Sequence, residues 1–234
     1  MIYNISPAQA QLLEALAKYK YCNTTHLVRA GISKNKVYTA KLLRDCSPFI
    51  ESVSFGVIPQ MGNLGKIHFL NKKGEDFLKN QMGLEEVSRP KSKAIFKNDF
   101  FHRVACIDFQ IEFDKWVFNR DFIIEQYQSY FEKIGSPKNG GMYSKCTIKL
   151  SPQSGYKQII PDGVGIYHDH QGEQYFFLLE MAMGTIHTQR NAEQILHHIQ
   201  AINEGKPTEK YKLKVGNRVL YVFENNNFKK LVIN

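Results

Sequence analysis

The sequence lacks several features that mark particular classes of protein. Its four cysteines are scattered without C-x-x-C spacing, which argues against a zinc site or a disulfide framework and predicts reduced thiols. It has no run of about 18 apolar residues, so no membrane span is predicted. The first residues also lack the charged-then-apolar pattern of a secretory signal peptide. Together these absences favour a cytoplasmic protein.

What the chain does contain is an uneven surplus of positive charge, with a formal net charge of +9. Residues 1–97 hold 15 Lys and Arg against 7 Asp and Glu, whereas residues 98–234 hold 16 against 15. This asymmetry predicts a polyanion-binding first region joined to a nearly neutral second region. A basic surface that only keeps the protein in solution is the alternative.

The pattern of the first region predicts a helix-turn-helix. Ser6 and Pro7 begin an amphipathic helix, and a second, short helix is predicted over residues 23–30. Gly31 makes the turn, and a basic third helix is predicted over residues 33–44. Its apolar residues Val37, Ala40, Leu42 and Leu43 alternate with polar and basic residues.

Two strands around a glycine-rich tip and a further helix follow, and the whole resembles a winged helix-turn-helix domain at residues 1–83, with a basic linker at 84–97. The resemblance implies that the third helix enters the major groove of DNA. At the wing tip, Asn63 and Lys66 would contact the backbone or the minor groove. Winged helices also serve as protein-interaction modules, which is the alternative. The third helix would contact bases and phosphates through Ser33, Lys34, Asn35, Lys36, Tyr38, Lys41 and Arg44.

In the second region, a β-hairpin is predicted in which two acids occur within apolar strands. The apolar runs 159–167 and 175–181 flank a polar turn of sequence HDHQGE. Asp162 opens the first strand, and Glu180 lies near the end of the second. An acid in an apolar strand is costly without compensation, and neighbouring strands can bring two carboxylates together. These two residues therefore predict a site for a hard divalent cation such as Mg²⁺ or Mn²⁺.

The hairpin resembles the core of the PD-(D/E)xK nuclease superfamily. Pro161 and Asp162 correspond to the first pair, and Glu180, Met181 and Ala182 to the acid-x-Lys triplet, from which Ala182 departs. The resemblance implies an α+β chain in which the winged helix-turn-helix is followed by a restriction-endonuclease-like α/β domain.

The predicted elements of the second domain, residues 98–234, have the αβββαβ order of such a core. They are a long helix over 98–120, strands over 122–134, 142–150 and 159–167, the second hairpin strand, a helix over 188–204 and a buried strand over 218–223.

Three residues of the long helix are candidates for the same site. Asp108 and Glu112 are four residues apart and share a helix face, and His102 lies one to two turns earlier. The resemblance implies that an acid on this helix joins the metal site, so either acid has this candidate role. A surface or capping role is the alternative for each. Three later histidines are interpreted as surface residues and not as a metal cluster: His187, His197 and His198.

A winged helix followed by the segments HRVACID, IPDGVGIY and FFLLEMAMGT more narrowly resembles the replication-relaxation proteins, and among them plasmid mobilisation relaxases of the MOB-C type. The resemblance implies a bacterial endonuclease that nicks one strand at a plasmid transfer origin, with relaxosome or coupling proteins as partners. Asp162 and Glu180 would ligate Mg²⁺ or Mn²⁺. Such relaxases tend to carry Glu-x-Glu in the second strand. Glu180 matches the first acid of this pattern, and Ala182 stands where the second acid is expected. Gly184 and Thr185, which follow, match the relaxases as well. An engineered alanine and a natural loss of activity would both explain this difference.

The nucleophile of such a reaction stays open between water and a tyrosine. Two other functions also stay open: a DNA-binding replication or transcription regulator with a non-catalytic nuclease fold, and a hydrolytic nuclease of defence or repair. Tyrosines in polar surroundings are Tyr19, Tyr127, Tyr130 and Tyr143.

Overall fold

The computed structural model describes residues 4–59, 62–90, 100–136, 141–151, 157–183 and 188–223. They form a mixed α+β chain that divides into two compact units. The first unit comprises Met1–Arg103 and Ile107–Ile111, and the second comprises Val104–Cys106 and Glu112–Asn234. Within the described ranges, no helix is long and apolar enough to cross a membrane.

The first unit runs from helices to strands and back to a helix. Its elements are α1 (Pro7–Tyr19), α2 (Thr24–Arg29), α3 (Lys36–Asp45), β1 (Ile50–Ser54), β2 (Val57–Ile58), β3 (Gly62–Asn63), β4 (Lys66–Leu70) and α4 (Lys72–Met82). Strands β1 and β4 pair antiparallel, with β2 and β3 as a short hairpin between them. A backbone bridge between Cys22 and His68 joins the segment after α1 to β4. Helix α1 packs on α3, α4 and β4, so the apolar side chains of these elements form one core.

Local hydrogen bonds explain where the first two helices begin. Ser6 accepts a hydrogen bond from the Gln9 N–H while the Gln9 side chain accepts one from the Ser6 N–H, and Pro7 follows at the first helical position. Asn23 caps α2 in the same reciprocal manner. Gly31 supplies the turn at a φ of +78°, which a residue with a Cβ rarely adopts. The predicted starts of both helices are confirmed.

The third helix begins later than predicted. Helix α3 starts at Lys36, because the Asn35 side chain accepts a hydrogen bond from the Tyr38 N–H at 2.8 Å and caps the helix. Ser33 and Lys34 therefore precede the helix.

The apolar residues of α3 do not all face the core. Thr39 is fully buried with Leu42 and Leu43, whereas Val37 is 83% exposed. Residues 39, 42 and 43 follow the i, i+3, i+4 spacing of one helix face. The Thr39 hydroxyl donates to the Asn35 carbonyl at 3.0 Å, so a polar residue occupies this core position without an unmet hydrogen bond.

Helix α5 (Phe100–Phe118) contains residues assigned to both units. The other elements of the second unit are β5 (Ile123–Ser129), β6 (Lys133–Ser136), β7 (Gly141–Ser144), β8 (Ile148–Lys149), β9 (Gln158–Ile159), β10 (Gly163–His168), β11 (Gln174–Ala182), α6 (Thr188–Asn203), α7 (Lys206–Tyr211) and β12 (Val219–Phe223).

The central sheet has the strand order β12-β11-β10-β5. Strands β5, β10 and β11 are antiparallel, which confirms the predicted hairpin, and β12 runs parallel to β11 after the α6 crossover. The hairpin β6–β7 and the short pair β8–β9 lie outside this sheet. Without these additions and the short helix α7, the element order is helix, three strands, helix and strand.

Side chains cover both faces of the sheet. On one face, Phe113 of α5 packs against the rings of Tyr127, Tyr167 and Phe177, with centroids 5.1 to 6.0 Å apart. A side chain at Gly165 would not fit on this face, since its Cβ would lie 2.3 Å from the Phe177 ring. The core of the other face consists of Cys146, Ile148, Leu150, Ile159, Val164, Ile166, Phe176, Leu178, Ala201 and Leu213.

Several predicted strands are interrupted. The strands expected over 122–134, 142–150 and 159–167 each divide into two, and Pro161, which has no backbone N–H, lies in the third break. The strand expected to be buried over 218–223 lies at the sheet edge, where Leu220 is 41% exposed, so that prediction is wrong. Helix α6 confirms the prediction for 188–204, whereas α7 was not predicted.

Candidate functional site

The candidate site lies where β10 begins and β11 nears its end. Strand pairing between β10 and β11 begins at Gly163 and Leu179, so Asp162 lies just before β10 and Glu180 is the next residue of β11. Glu180 in turn pairs with Tyr221 on the neighbouring strand β12. Side chains at paired positions of adjacent strands project from the same face, so Glu180 and Tyr221 lie on one side of the sheet, whereas a carboxylate oxygen of Asp162 lies near Cys106 of α5.

Hydrogen bonds on several sides fix Asp162. Its N–H donates to the Leu179 carbonyl at 2.8 Å, and its own carbonyl accepts from the Tyr130 N–H at 3.0 Å. Its Oδ2 accepts from the Met181 N–H at 2.8 Å, so the side chain extends the strand pairing by one bond. The residue is only 9% exposed. This carboxylate has a structural role, and it holds a fixed position in a desolvated place.

Glu180 is paired with a histidine that the sequence analysis assigned to the surface. His198 of α6 lies with Nε2 2.5 Å from Glu180 Oε1, and the two side chains are 3% and 8% exposed. The surface assignment of His198 is wrong, because residues 198 and 201 share the helix face that packs on the sheet, where Ala201 is fully buried. A buried carboxylate needs such a donor, and the imidazole supplies it.

Tyr221 adds a third polar group beside this pair. Its ring lies 6.3 Å from the His198 ring. Burial raises the pKa of the Tyr221 hydroxyl above its ordinary value, and the negative charges of Glu180 and Asp162 raise it further. Within the described part of the chain, the Tyr221 hydroxyl and His198 Nδ1 are buried without a hydrogen-bond partner. Buried polar atoms rarely remain unpaired, so this place suits a polar visitor such as water, an ion or a substrate oxygen.

Asp162 also has a sulfur donor near it. A carboxylate oxygen of Asp162 lies within 4.8 Å of Cys106 Sγ, and a ring nitrogen of His102, one helical turn earlier on α5, is equally close to that sulfur. These atoms fit a divalent ion, because thiolate, imidazole and carboxylate all ligate such ions. The sulfur and nitrogen favour a softer ion such as Zn²⁺ over Mg²⁺, whereas the carboxylates alone would suit Mg²⁺ or Mn²⁺.

The two candidate acids of α5 have other partners. Asp108 belongs to the first unit, where its Oδ1 lies 2.5 Å from Arg29 Nη1 and 3.5 Å from His26 Nε2. Glu112 is half exposed and pairs with Lys115 at 2.9 Å on the same helix. Neither acid belongs to the group of donors around Asp162.

The four tyrosines considered as nucleophiles differ in their surroundings. Tyr19 is buried in the first unit, and Tyr143 is 53% exposed on β7. Burial raises the pKa of Tyr127, and its hydroxyl faces Gly163, where an added Cβ would lie 2.7 Å away. Tyr130 lies next to the site through its backbone bond to Asp162.

Position 182 is at the end of β11. Ala182 is partly exposed and pairs with Phe223, two residues beyond Glu180 and thus on the same strand face. It offers no ligand atom. Gly184, Thr185 and His187 lie outside the described residues.

The predicted DNA-binding residues lie on an exposed surface of the first unit. Asn35 and Ser33 have local roles, since Asn35 caps α3 and the Ser33 hydroxyl lies 2.5 Å from the Thr39 hydroxyl. The remaining side chains of α3 and its entry are exposed: Lys34, Lys36, Tyr38, Lys41 and Arg44. We call the set Lys36, Lys41 and Arg44 the basic face of α3. Asn63 and Lys66 are exposed beside the β2–β3 hairpin, and Asn63 accepts a hydrogen bond from the Gly65 N–H at 2.9 Å.

Sequence reasoning missed the roles of His198, Tyr221 and Cys106. Only the spacing of His198 and Ala201 along one helix face could have indicated that this histidine is buried. No local pattern indicated Tyr221, because its position depends on how β12 pairs with β11.

Comparison with known proteins gives no assignment for this arrangement. No protein-family model, no curated protein and no solved structure matches the chain.

Proposed function

We propose that the protein is a DNA-binding, divalent-metal-dependent endonuclease of the relaxase kind, which binds duplex DNA through α3 and cleaves a phosphodiester at the site around Asp162. The observation that carries the proposal is a pair of buried carboxylates, Asp162 just before β10 and Glu180 on the adjacent strand β11. Buried acids are rare in sheets unless they are paired or hold an ion.

The first unit supports the DNA-binding half of the proposal. Helix α3 follows α2 after a tight turn, and its basic face is exposed. A helix of this width fits the major groove, with Lys and Arg against phosphates and the first turn near base edges. The β2–β3 hairpin would act as the wing of a winged helix-turn-helix, with Asn63 and Lys66 beside the DNA backbone.

The second unit supports the cleavage half. Its order of helix, three strands, helix and strand is the order expected of a restriction-endonuclease-like core. A divalent ion bound there would polarise the scissile phosphate and neutralise charge on the leaving oxygen. Asp162 and Glu180 would hold it, with Cys106 as a further donor near Asp162. Asp108 and Glu112 would act at most through neighbouring groups, because each is paired elsewhere.

The nucleophile that suits this geometry best is water. The hydroxyls of Tyr127 and Tyr221 are buried and their pKa values are raised, which keeps both phenols protonated at neutral pH. The same proposal includes a plasmid transfer origin as the substrate and relaxosome or coupling proteins as partners. It also includes a bacterial cytoplasmic location.

Nicking of supercoiled plasmid tests the proposal. The wild-type chain and an Ala182→Glu variant are incubated with plasmids that contain or lack a cognate origin, with Mg²⁺, Mn²⁺ or Zn²⁺. We expect Ala182→Glu to increase the rate of open-circle formation at the origin, because a third carboxylate strengthens the metal site. Cutting of any plasmid would instead identify a general nuclease of defence or repair, and no gain at a verified site contradicts the assignment of position 182.

A second candidate, a regulator that binds DNA and does not cut it, is favoured by two observations. Glu180 is already engaged by His198, and Ala182 contributes no ligand. Origin-specific binding without open circles in either chain, under all three metal ions, would support this regulator.

A further inference from the structure

Strand position 182 leaves a gap in the polar groups of the site. In a β-strand, residues 180 and 182 face the same side, and Ala182 has no polar atom with which to support Glu180. Helix α6 covers this side of the sheet, as Ala201 in the core with Val164 and Leu178 shows. A side chain that replaces the missing group would therefore come from α6.

His198 is the α6 side chain that reaches Glu180. The two are 18 residues apart in the chain, and Nε2 and Oε1 lie 2.5 Å from each other with both side chains nearly inaccessible to water. In this buried place the hydrogen bond holds the direction of the carboxylate, because a buried polar group that loses its partner carries a desolvation cost.

The far side of the imidazole is polar as well. His198 Nδ1 and the Tyr221 hydroxyl are buried without hydrogen bonds in the described part of the chain, and Tyr221 is the register partner of Glu180. Two unpaired polar atoms beside a carboxylate indicate that the structure keeps this place for an oxygen-containing ligand and does not fill it with apolar side chains.

We propose that His198 is a positioning residue of the Asp162–Glu180 site, which holds the Glu180 carboxylate through Nε2–H and takes the place of the supporting side chain that position 182 lacks. The inference rests on the proposed metal-dependent function of that site. The groups that face His198 are Glu180 on β11 and Tyr221 on β12, with the charge of Asp162 acting on the same tyrosine.

The test uses His198→Ala and His198→Gln in the full chain. Glutamine has an amide N–H that reaches about as far as Nε2, so it can still donate to Glu180, whereas alanine cannot. We expect His198→Ala to weaken Mn²⁺ binding and to lower kcat for nicking by about 10- to 100-fold, the usual effect of losing a group that orients a metal ligand. His198→Gln should keep most of the wild-type Mn²⁺ affinity and most of the wild-type kcat. KM for DNA should be unchanged in either variant.

A proton NMR measurement separates this inference from the proposed function. The Nε2–H of His198 should give a downfield signal in the wild-type protein that disappears in His198→Ala and in Glu180→Ala. Absence of this signal, or equal losses of Mn²⁺ binding in the Ala and Gln variants, overturns the positioning role even if the protein cuts DNA. If the signal is present but no variant binds Mn²⁺ or cuts DNA, the metal-dependent function fails and this role fails with it.

Discussion

The two units place their charged groups in opposite environments. The first unit exposes the basic face of α3 to solvent, whereas the second unit buries Asp162 and Glu180 within a sheet. Exposed charges cost little to maintain, and each adds a modest, salt-dependent contribution to binding a polyanion. Buried charges carry a desolvation cost and need fixed partners, so losing one partner has a large effect. We therefore expect substitutions of the exposed charges in the first unit to weaken DNA binding gradually. Substitutions of the buried charges in the second unit should remove the activity of the site almost completely.

The largest effect is expected from Asp162→Asn in the Ala182→Glu chain. Asparagine keeps an oxygen that accepts from the Met181 N–H, so the fold should persist, while the ligand charge is lost. We expect nicking and Mn²⁺ binding to fall by more than about 100-fold, since even outer-sphere partners cost 10 to 100-fold. Plasmid relaxation and Mn²⁺ titration measure this. Glu173→Gln, in the exposed turn of the hairpin, is the control. If the Asp162→Asn variant nicks normally, the Asp162 carboxylate is not needed for cleavage and the expected difference between the two units is lost.

Acid should destabilise the first unit over a defined pH range. Burial, and to a smaller extent the charges of Arg29 and Lys66, lower the pKa of His26 and of His68 to about 4. In the unfolded chain both titrate near about 6.5. The unfolded state thus binds more protons between these values, so stability is full above about pH 6.5 and is lost as pH falls towards 4, by up to about 3 kcal/mol for each histidine.

Urea unfolding at pH 7, 5.5 and 4.5 checks this expectation. The single tryptophan, Trp116, lies in the second unit, so its fluorescence follows that unit. Hydrogen exchange of the β4 amides follows the first unit. If the first unit keeps the same urea midpoint at all three pH values, neutral buried histidines do not contribute to its stability.

Removing the basic face should weaken DNA binding in a graded manner. We expect the triple variant Lys36→Ala, Lys41→Ala, Arg44→Ala to bind duplex DNA about 10- to 100-fold more weakly at 0.15 M salt, with the log–log salt slope reduced by about 3. Fluorescence anisotropy across a salt series measures both quantities.

The matched control removes the same charge from α4 in the same unit, where two of the three lysines are already paired with acids. An equal loss of affinity in both triple variants would mean that net charge, and not the basic face, drives binding. The control substitutions are Lys72→Ala, Lys73→Ala and Lys79→Ala.

Glycine-to-alanine changes at tightly packed positions should destabilise both units. A Cβ at Gly74 would lie 2.2 Å from the Phe49 carbonyl oxygen, and one at Gly165 would lie 2.3 Å from the Phe177 ring. Such overpacking costs about 1–3 kcal/mol. Thermal denaturation should show the larger loss for Gly74→Ala, because a backbone atom yields less than a ring. Gly216→Ala, which meets no atom within 4 Å, is the control, and equal stability of all three variants would contradict the tight packing.

The difference between the units also decides how much the sequence could predict. Helix starts at Ser6 and Asn23 follow from capping within four residues, and the basic face needs only helical spacing. The hairpin and helix α6 can also be predicted locally, because each depends on the spacing of apolar residues within its own segment. The partners of Glu180 do not, because His198 and Tyr221 reach it only through the packing of α6 and the pairing of β12.

Residue type is misleading even within one short helix. Valine at position 37 is exposed and threonine at position 39 is buried, the reverse of what the polarity of the two side chains suggests. The phase of α3 is set by its buried leucines and by the Asn35 cap, so the residue that falls on the core face is buried whatever its polarity.

The smallest expected effects test this reversal. Val37→Ser should change the free energy of unfolding by less than about 0.5 kcal/mol, as is usual for an exposed position. Thr39→Val keeps the shape of the side chain but removes the hydroxyl that donates to the Asn35 carbonyl and lies beside the Ser33 hydroxyl. It should cost about 1 kcal/mol, the net contribution of a typical hydrogen bond. Urea denaturation of both variants measures the difference. If the apolar-to-polar change at 37 costs more than the polar-to-apolar change at 39, then α3 packs in the phase that its residue types suggested, and its basic face does not point to solvent.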